Sequence, residues 1–181
     1  AEVEDGMTLY DFVRSKGCAS VKCGCETSNC GLCTVFLDDV PVLSCSVLAA
    51  RASGHRVDTL EGLQEEAEEV GAFIAGQGAE QCGFCNPGMI MNAIALFREK
   101  SDPTDQEIRE YLAGNLCRCS GYEGQMRGIR NFIAYKKEKA LQGEQKEEER
   151  MRMRRGIEGT RENPSDEPEK EAGVQEGGAG A

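Results

Sequence analysis

Tryptophan is absent from this chain, histidine occurs once, and the aromatic residues together make up 6% of it. So few large side chains leave a core that stabilises weakly, and domains built this way usually need an added staple. One histidine excludes a Rieske-type centre, which takes two; His55 is expected in an exposed loop. No run of about 18 apolar residues occurs, so no transmembrane helix is expected. The opening, AEVEDGMTLYDF, lacks the basic and apolar regions of a secretory signal. Positive charge is also in deficit: 21 Lys and Arg against 32 Asp and Glu leave a net charge of −11. That balance argues against binding a nucleic-acid backbone. It fits a cytoplasmic protein with no membrane attachment, or a subunit whose partners present basic surface.

What the chain has in quantity is cysteine, ten in 181 residues. A disulfide framework would need an oxidising compartment. With no export signal in view, metal ligation is the better expectation, and it would supply the missing staple.

Three regions differ in character. Residues 1–58 mix strand and turn signals. Thr8–Ser15 has apolar residues at helical spacing (Leu9, Phe12, Val13) and a stop at Gly17. Thr34–Leu37 reads as a strand, Asp38–Pro41 as a turn and Val42–Ser44 as the return strand. Residues 59–141 read as four short helices. Their stripes are Leu60, Leu63, Ala67, Val70 and Ile74; then Ile90, Ala93, Ile94 and Phe97; then Ile108, Tyr111 and Leu112; then Met126, Ile129, Phe132 and Ile133. Thr104–Glu107 is a capping box that opens the third. Met89 and Met91 read as core filler. Residues 142–181 have few apolar side chains and many charges, and are expected to be disordered or loosely helical at the start. The basic cluster Arg150–Gly156 inside them is expected to be a solvated charge run.

The cysteines fall into two sets with two left over. The first set is Cys25-x4-Cys30-x2-Cys33, with Cys45 further on. This is the loop spacing of plant-type 2Fe–2S ferredoxins. Each iron takes two thiolates, and the bridging sulfides need backbone N–H donors close by. Such a wrap requires small residues, which Gly24 and Gly31 supply. Cys18 and Cys23 share the four-residue gap, but the register then demands a cysteine where Glu26 stands. They are therefore expected to be free thiols or small buried apolar residues. The second set is Cys82-x2-Cys85 with Cys117-x-Cys119. Both pairs precede expected helix starts, where the helix dipole favours an anionic metal–thiolate site. Spacing favours iron–sulfur here over structural zinc without deciding between them.

VKCGCETSNCGLCTV, Ser44–Cys45, TLEGL, QCGFCNPGMIM and GNLCRCSGY resemble the iron–sulfur subunit of the xanthine dehydrogenase family of molybdenum hydroxylases, over roughly Leu9 to Tyr135. The resemblance implies an α+β chain: a plant-type 2Fe–2S ferredoxin-like β-grasp domain followed by an all-α four-helix 2Fe–2S-binding domain. It implies Cys25, Cys30, Cys33 and Cys45 on one cluster and Cys82, Cys85, Cys117 and Cys119 on a second, rather than zinc. It places Gln81 and Cys119 against the molybdopterin-type cofactor of a large subunit. Electrons would then pass through both clusters to FAD on a medium subunit, or to another acceptor. No residue of this chain would be catalytic. Cys23, Ser28, Leu32 and Asp39 depart from the family pattern, and the first β-grasp strand is expected to be missing, leaving a sheet edge unpaired. Asn115 and Tyr122 are expected to support the second loop, and Arg118 to tune the cluster or touch a partner. The rival readings are a stand-alone ferredoxin-like carrier and a zinc-stabilised interaction module.

Overall fold

A computed structural model describes residues 3–159, with side chains described as far as Arg152. Contacts divide the chain into one unit up to Lys137 and a second from Glu138 onward.

Helix α1 (Leu9–Ser15) starts where the Thr8 hydroxyl oxygen accepts the Asp11 N–H at 3.1 Å, and it buries Leu9 and Val13. The chain turns away through Gly17 at φ +93°. Strands β1 (Thr34–Leu37) and β2 (Val40–Leu43) pair antiparallel, with Phe36 opposite Pro41. Their turn is Asp38–Asp39, both at positive φ, as a two-residue hairpin of matching twist requires. It is tighter than the expected Asp38–Pro41 turn. Pro41 belongs to β2, which is tolerated because β2 is an edge strand. Asp38 accepts the Arg56 N–H at 2.8 Å and faces the half-exposed His55 ring, while Asp39 pairs with Arg56. This fastens β3 (Val57–Asp58) to the other edge of β1, giving the order β2-β1-β3. A two-residue strand is too short to show a period, and sequence reading missed it. No strand precedes α1 among the described residues.

The four helical stripes become α2 (Gln64–Ala75), α3 (Asn86–Glu99), α4 (Asp105–Tyr111) and α5 (Glu123–Gly159). Leu60 lies just outside, in a 3-10 turn over Leu60–Gly62. Pro87 sits in the first turn of α3, and the Thr104–Glu107 capping box opens α4 with both reciprocal bonds made. Met89 and Met91 are fully buried, as expected. Strand β1 serves two cores. Val35 packs with Leu9, Val13, Val21 and Cys33, while Phe36 joins the helical core of α2 to α5. The scarce aromatics are concentrated in that second core, where Phe132 meets Phe73 at 5.5 Å and Phe97 at 4.7 Å between ring centroids.

Helix α5 has 37 residues and runs on past Leu141, so the first part of the charged region is helical. Arg150 pairs with Glu147 at 3.9 Å. The basic cluster falls on this helix, but its side chains beyond Arg152 and the whole of 160–181 lie outside the described residues. None of the described helices is long and apolar enough to cross a membrane.

Helices α2 and α5 touch at Gly128, where an added Cβ would come within 2.7 Å of the Ile74 Cα and 2.8 Å of the Phe73 carbonyl oxygen. Gly128→Ala should lower the stability of the chain by about 1–3 kcal/mol in urea unfolding, because both close neighbours are backbone atoms that cannot swing aside. Thr104→Ala, which removes a cap and touches no packing, should cost about 1 kcal/mol in the same measurement.

Candidate metal centres

The first cysteine set is assembled by the hairpin register. Thr34 pairs with Leu43, so Cys33 and Ser44 stand opposite each other just beyond the ladder. The fully buried Ser44 locks this end, donating to the Cys33 carbonyl through its N–H at 3.2 Å and its hydroxyl at 2.7 Å. Cys45 then lies in a 3-10 turn with its sulfur 3.2 Å from that of Cys33. Cys25 and Cys30 stand as the other pair, close enough that each thiol shifts the other, across the loop Glu26–Asn29. Ser28 takes the left-handed conformation (φ +54°) at the loop tip and places its hydroxyl 3.4 Å from the Cys45 sulfur.

Cys18 packs at the margin of the first core, and Cys23 is exposed, its thiol donating to the Cys25 carbonyl at 2.9 Å. Neither joins the pairs. The stretch before this loop is tied down by Glu61, which accepts from the Ser20 N–H, the Ser20 hydroxyl and the Thr59 hydroxyl at 2.6–2.8 Å. Partial burial acts against its charge, but these donors prevail and hold the carboxyl down at about 2.

The second set also forms pairs. Cys82 and Cys119 stand 3.6 Å apart, both exposed. Cys85 and Cys117 lie behind them, close enough that each thiol shifts the other. Cys85 caps α3, and the Cys117–Ser120 loop leads into α5, so both approach helix N-termini as expected. The Tyr122 hydroxyl accepts the Cys117 N–H at 2.8 Å, and the buried Asn115 packs on Gly31. Both thus support the loops. Gln81 is exposed beside Cys82, and Arg118 is exposed between Cys117 and Cys119. Phe84, Leu116 and Tyr122 are large apolar side chains left 47%, 49% and 38% exposed around this site.

In the pairs Cys25–Cys30, Cys82–Cys119 and Cys85–Cys117 one thiol is lowered and the other raised. Backbone N–H groups of Asn29 and Thr27 hold Cys25 down at about 6, while burial pushes its partner Cys30 up. Burial pushes Cys33 up to about 12 and Cys85 up to about 11. Burial also acts on Cys117, but the hydroxyl and N–H of Ser120 outweigh it and hold the thiol at about 7. The Phe84 N–H lowers Cys82, and Cys82 in turn raises Cys119. A thiolate zinc site needs four sulfurs about one ion, whereas a 2Fe–2S cluster needs two sulfurs on each of two irons. Paired sulfurs with backbone donors aimed at them suit the second.

The two sites are neighbours. A cavity of about 400 Å³ bounded by Cys82, Cys85, Cys117 and Cys119 is also walled by Gly24, Cys30 and Leu32 from the first loop. The Leu116 N–H donates to the Cys30 carbonyl at 2.9 Å, so one hydrogen bond joins a residue of the first set to the neighbour of Cys117. Glycines permit this approach. A Cβ on Gly88 would lie 2.3 Å from the Gly31 carbonyl oxygen, and one on Gly31, at φ +73°, would lie 2.5 Å from the Asn115 amide nitrogen.

The 2Fe-2S binding domain family matches residues 59–130. The nicotinate dehydrogenase small FeS subunit of Eubacterium barkeri is 43% identical over 122 residues, which cover 66% of this chain and 78% of that one. The chain belongs to the family of iron–sulfur small subunits of xanthine and nicotinate dehydrogenases. Another such iron–sulfur small subunit, the xanthine dehydrogenase iron-sulfur-binding subunit of Escherichia coli O157:H7, is 44% identical over 122 residues, 65% of this chain and 77% of that one. In structure, this iron–sulfur subunit is similar to a chain of quinoline 2-oxidoreductase from Pseudomonas putida 86, with a TM-score of 0.68 and 38% identity over 74% of this chain and 85% of that one.

Sequence reasoning missed three contributors to the sites in this iron–sulfur subunit: the Leu116 N–H, Ser120 and Gln125. A backbone donor leaves no mark in a sequence. Gln125 did leave one, because it is a polar residue four positions before Ile129, in phase with the buried stripe.

The split thiols give a test on the metal-free chain. In a brief iodoacetamide pulse read by mass spectrometry, Cys25 should alkylate at a rate that is level above about pH 7 and falls as pH drops through 6. Cys33 and Cys85 should stay unmodified at pH 8, because the thiolate is the reacting form.

Proposed function

We propose that this iron–sulfur subunit relays electrons through two 2Fe–2S clusters, one held by Cys25, Cys30, Cys33 and Cys45 and the other by Cys82, Cys85, Cys117 and Cys119. The sulfur pairs suggest the division between irons: Cys25 with Cys30, Cys33 with Cys45, Cys82 with Cys119 and Cys85 with Cys117. When bound, such clusters supply one-electron redox chemistry. The chain makes and breaks no substrate bond. It holds the thiolates in pairs, screens the inner sulfurs from water, and keeps the two sites adjacent.

The observation that carries this reading is the Leu116–Cys30 hydrogen bond of 2.9 Å between the two loops. A relay needs two adjacent centres with an outward-facing side at each end. The second site has one in the exposed Cys82 and Cys119, with Gln81 beside them, and the first in the half-buried Cys25 and Cys45. The chain works with a large molybdenum-binding subunit, as an electron-transfer subunit of a molybdenum hydroxylase of the xanthine dehydrogenase type. In our reading that subunit docks on the face where Phe84, Leu116 and Tyr122 lie exposed, with Gln81 and Cys119 toward its molybdopterin-type cofactor. The far end faces FAD on a medium subunit or another acceptor. Residues 1–58 would form the ferredoxin-like β-grasp domain and 59–141 the helical one.

Iron and sulfide analysis with low-temperature EPR should find four irons per chain and two distinct reducible centres. Cys30→Ser should remove the signal of one centre and Cys85→Ser that of the other. Cys23→Ser should leave both intact, and loss of either in that variant would mean the ligand register is wrong.

A further inference from the structure

Gln125 is the most deeply buried polar side chain at the second site, with 2% of its surface exposed. Its Nε2 lies 3.9 Å from the Cys85 sulfur, within N–H···S reach, and its Oε1 accepts from the Ser120 hydroxyl at 3.1 Å. That hydroxyl is also 3.1 Å from the Cys117 sulfur, to which the Ser120 N–H donates at 3.4 Å. The Tyr122 N–H in turn donates to the Ser120 oxygen at 3.2 Å, which fixes its position. One amide and one serine therefore serve the inner pair, Cys85 and Cys117, while the outer pair, Cys82 and Cys119, faces solvent.

A buried amide is costly unless its hydrogen bonds are made, and an apolar residue would suit this position of α5 by packing alone. What the amide adds is a donor directed at a ligand sulfur. Hydrogen bonds to the sulfurs of an iron–sulfur cluster stabilise its more negative, reduced form and raise its potential. Resting on the ligand assignment above, we propose that Gln125, with Ser120, is a positioning residue that raises the reduction potential of the second cluster through the Cys85 and Cys117 sulfurs.

The test is a potentiometric EPR titration of the cluster-loaded full chain, comparing wild type with Gln125→Met, which keeps length and bulk but has no donor, and with Ser120→Ala. In Gln125→Met the reduction equilibrium of the second centre should shift about tenfold toward the oxidised form, which is about 59 mV for one electron. Ser120→Ala should shift it in the same direction, and the first centre should stay where it is in both. An unchanged second-centre potential in Gln125→Met, with four irons still bound, would overturn the proposal. So would loss of iron from the second centre alone, which would make Gln125 a structural support. Should Gln125→Met fail to fold, an unmoved potential in Ser120→Ala would count against the proposal by itself. A wild-type chain with only one reducible centre would instead remove the ligand assignment, and is recognised before any variant is made.

Discussion

The close approach of two backbones, Gly31 in the first cysteine loop and Gly88 in the first turn of α3, is the contact on which the rest of the site depends. No side chain fits between them: a Cβ on Gly88 would sit 2.3 Å from the Gly31 carbonyl oxygen. Because the loops meet at backbone distance, the Leu116 N–H reaches the Cys30 carbonyl, and Cys30 lines one cavity with the four cysteines of the second set. The contact also brings Phe36 of β1 into the helical core and lets Asn92 of α3 donate to the Thr34 hydroxyl at 3.1 Å. A one-electron relay needs its centres near each other and fixed. Here fixity comes from main-chain contacts, which have no rotamers to lose.

The polar groups around the thiols divide by exposure. The outer thiols, Cys25 and Cys82, are held low by backbone N–H groups of the following residues, a consequence of loop conformation alone. The inner thiols, Cys33 and Cys85, are raised by burial. Such a gradient lets a thiolate and a thiol share the Cys25–Cys30 and Cys85–Cys117 pairs in the metal-free chain. On the proposed ligand assignment, loading displaces protons from the buried members, so metal binding and deprotonation are linked.

The core of this molecule is built economically. Three of its few aromatics meet around Phe132, methionines fill the space beneath α3, and glycines let α2 and α5 touch. The remaining order comes from caps and fastened loops: Thr8 and Thr104 at helix starts, Asp38 on the Arg56 N–H before β3, Glu61 on Ser20. Every one of these is a polar bond near a cysteine loop or at an element end, where a thin apolar core would leave the chain loose.

Cysteine spacing alone separated Cys25, Cys30, Cys33 and Cys45 from Cys18 and Cys23, because a ligand register either fits or fails. Helical periods located α2 to α5, and the capping box located the start of α4, because these signals are local. The hairpin turn was placed too long, since two aspartates can take positive φ where glycine is the usual sign, and β3 was too short to carry a period. The sequence by itself determined which faces of the helices are buried, and its cysteine spacing supplied the grouping of sulfurs that the proposed function uses. Only the tertiary structure decided that the two sets are adjacent, that they stand as pairs, and that Gln125 is turned toward a sulfur. Those depend on contacts between residues far apart in the chain, such as Cys30 with Leu116 and Gly31 with Gly88, and no local pattern encodes a distance of that kind.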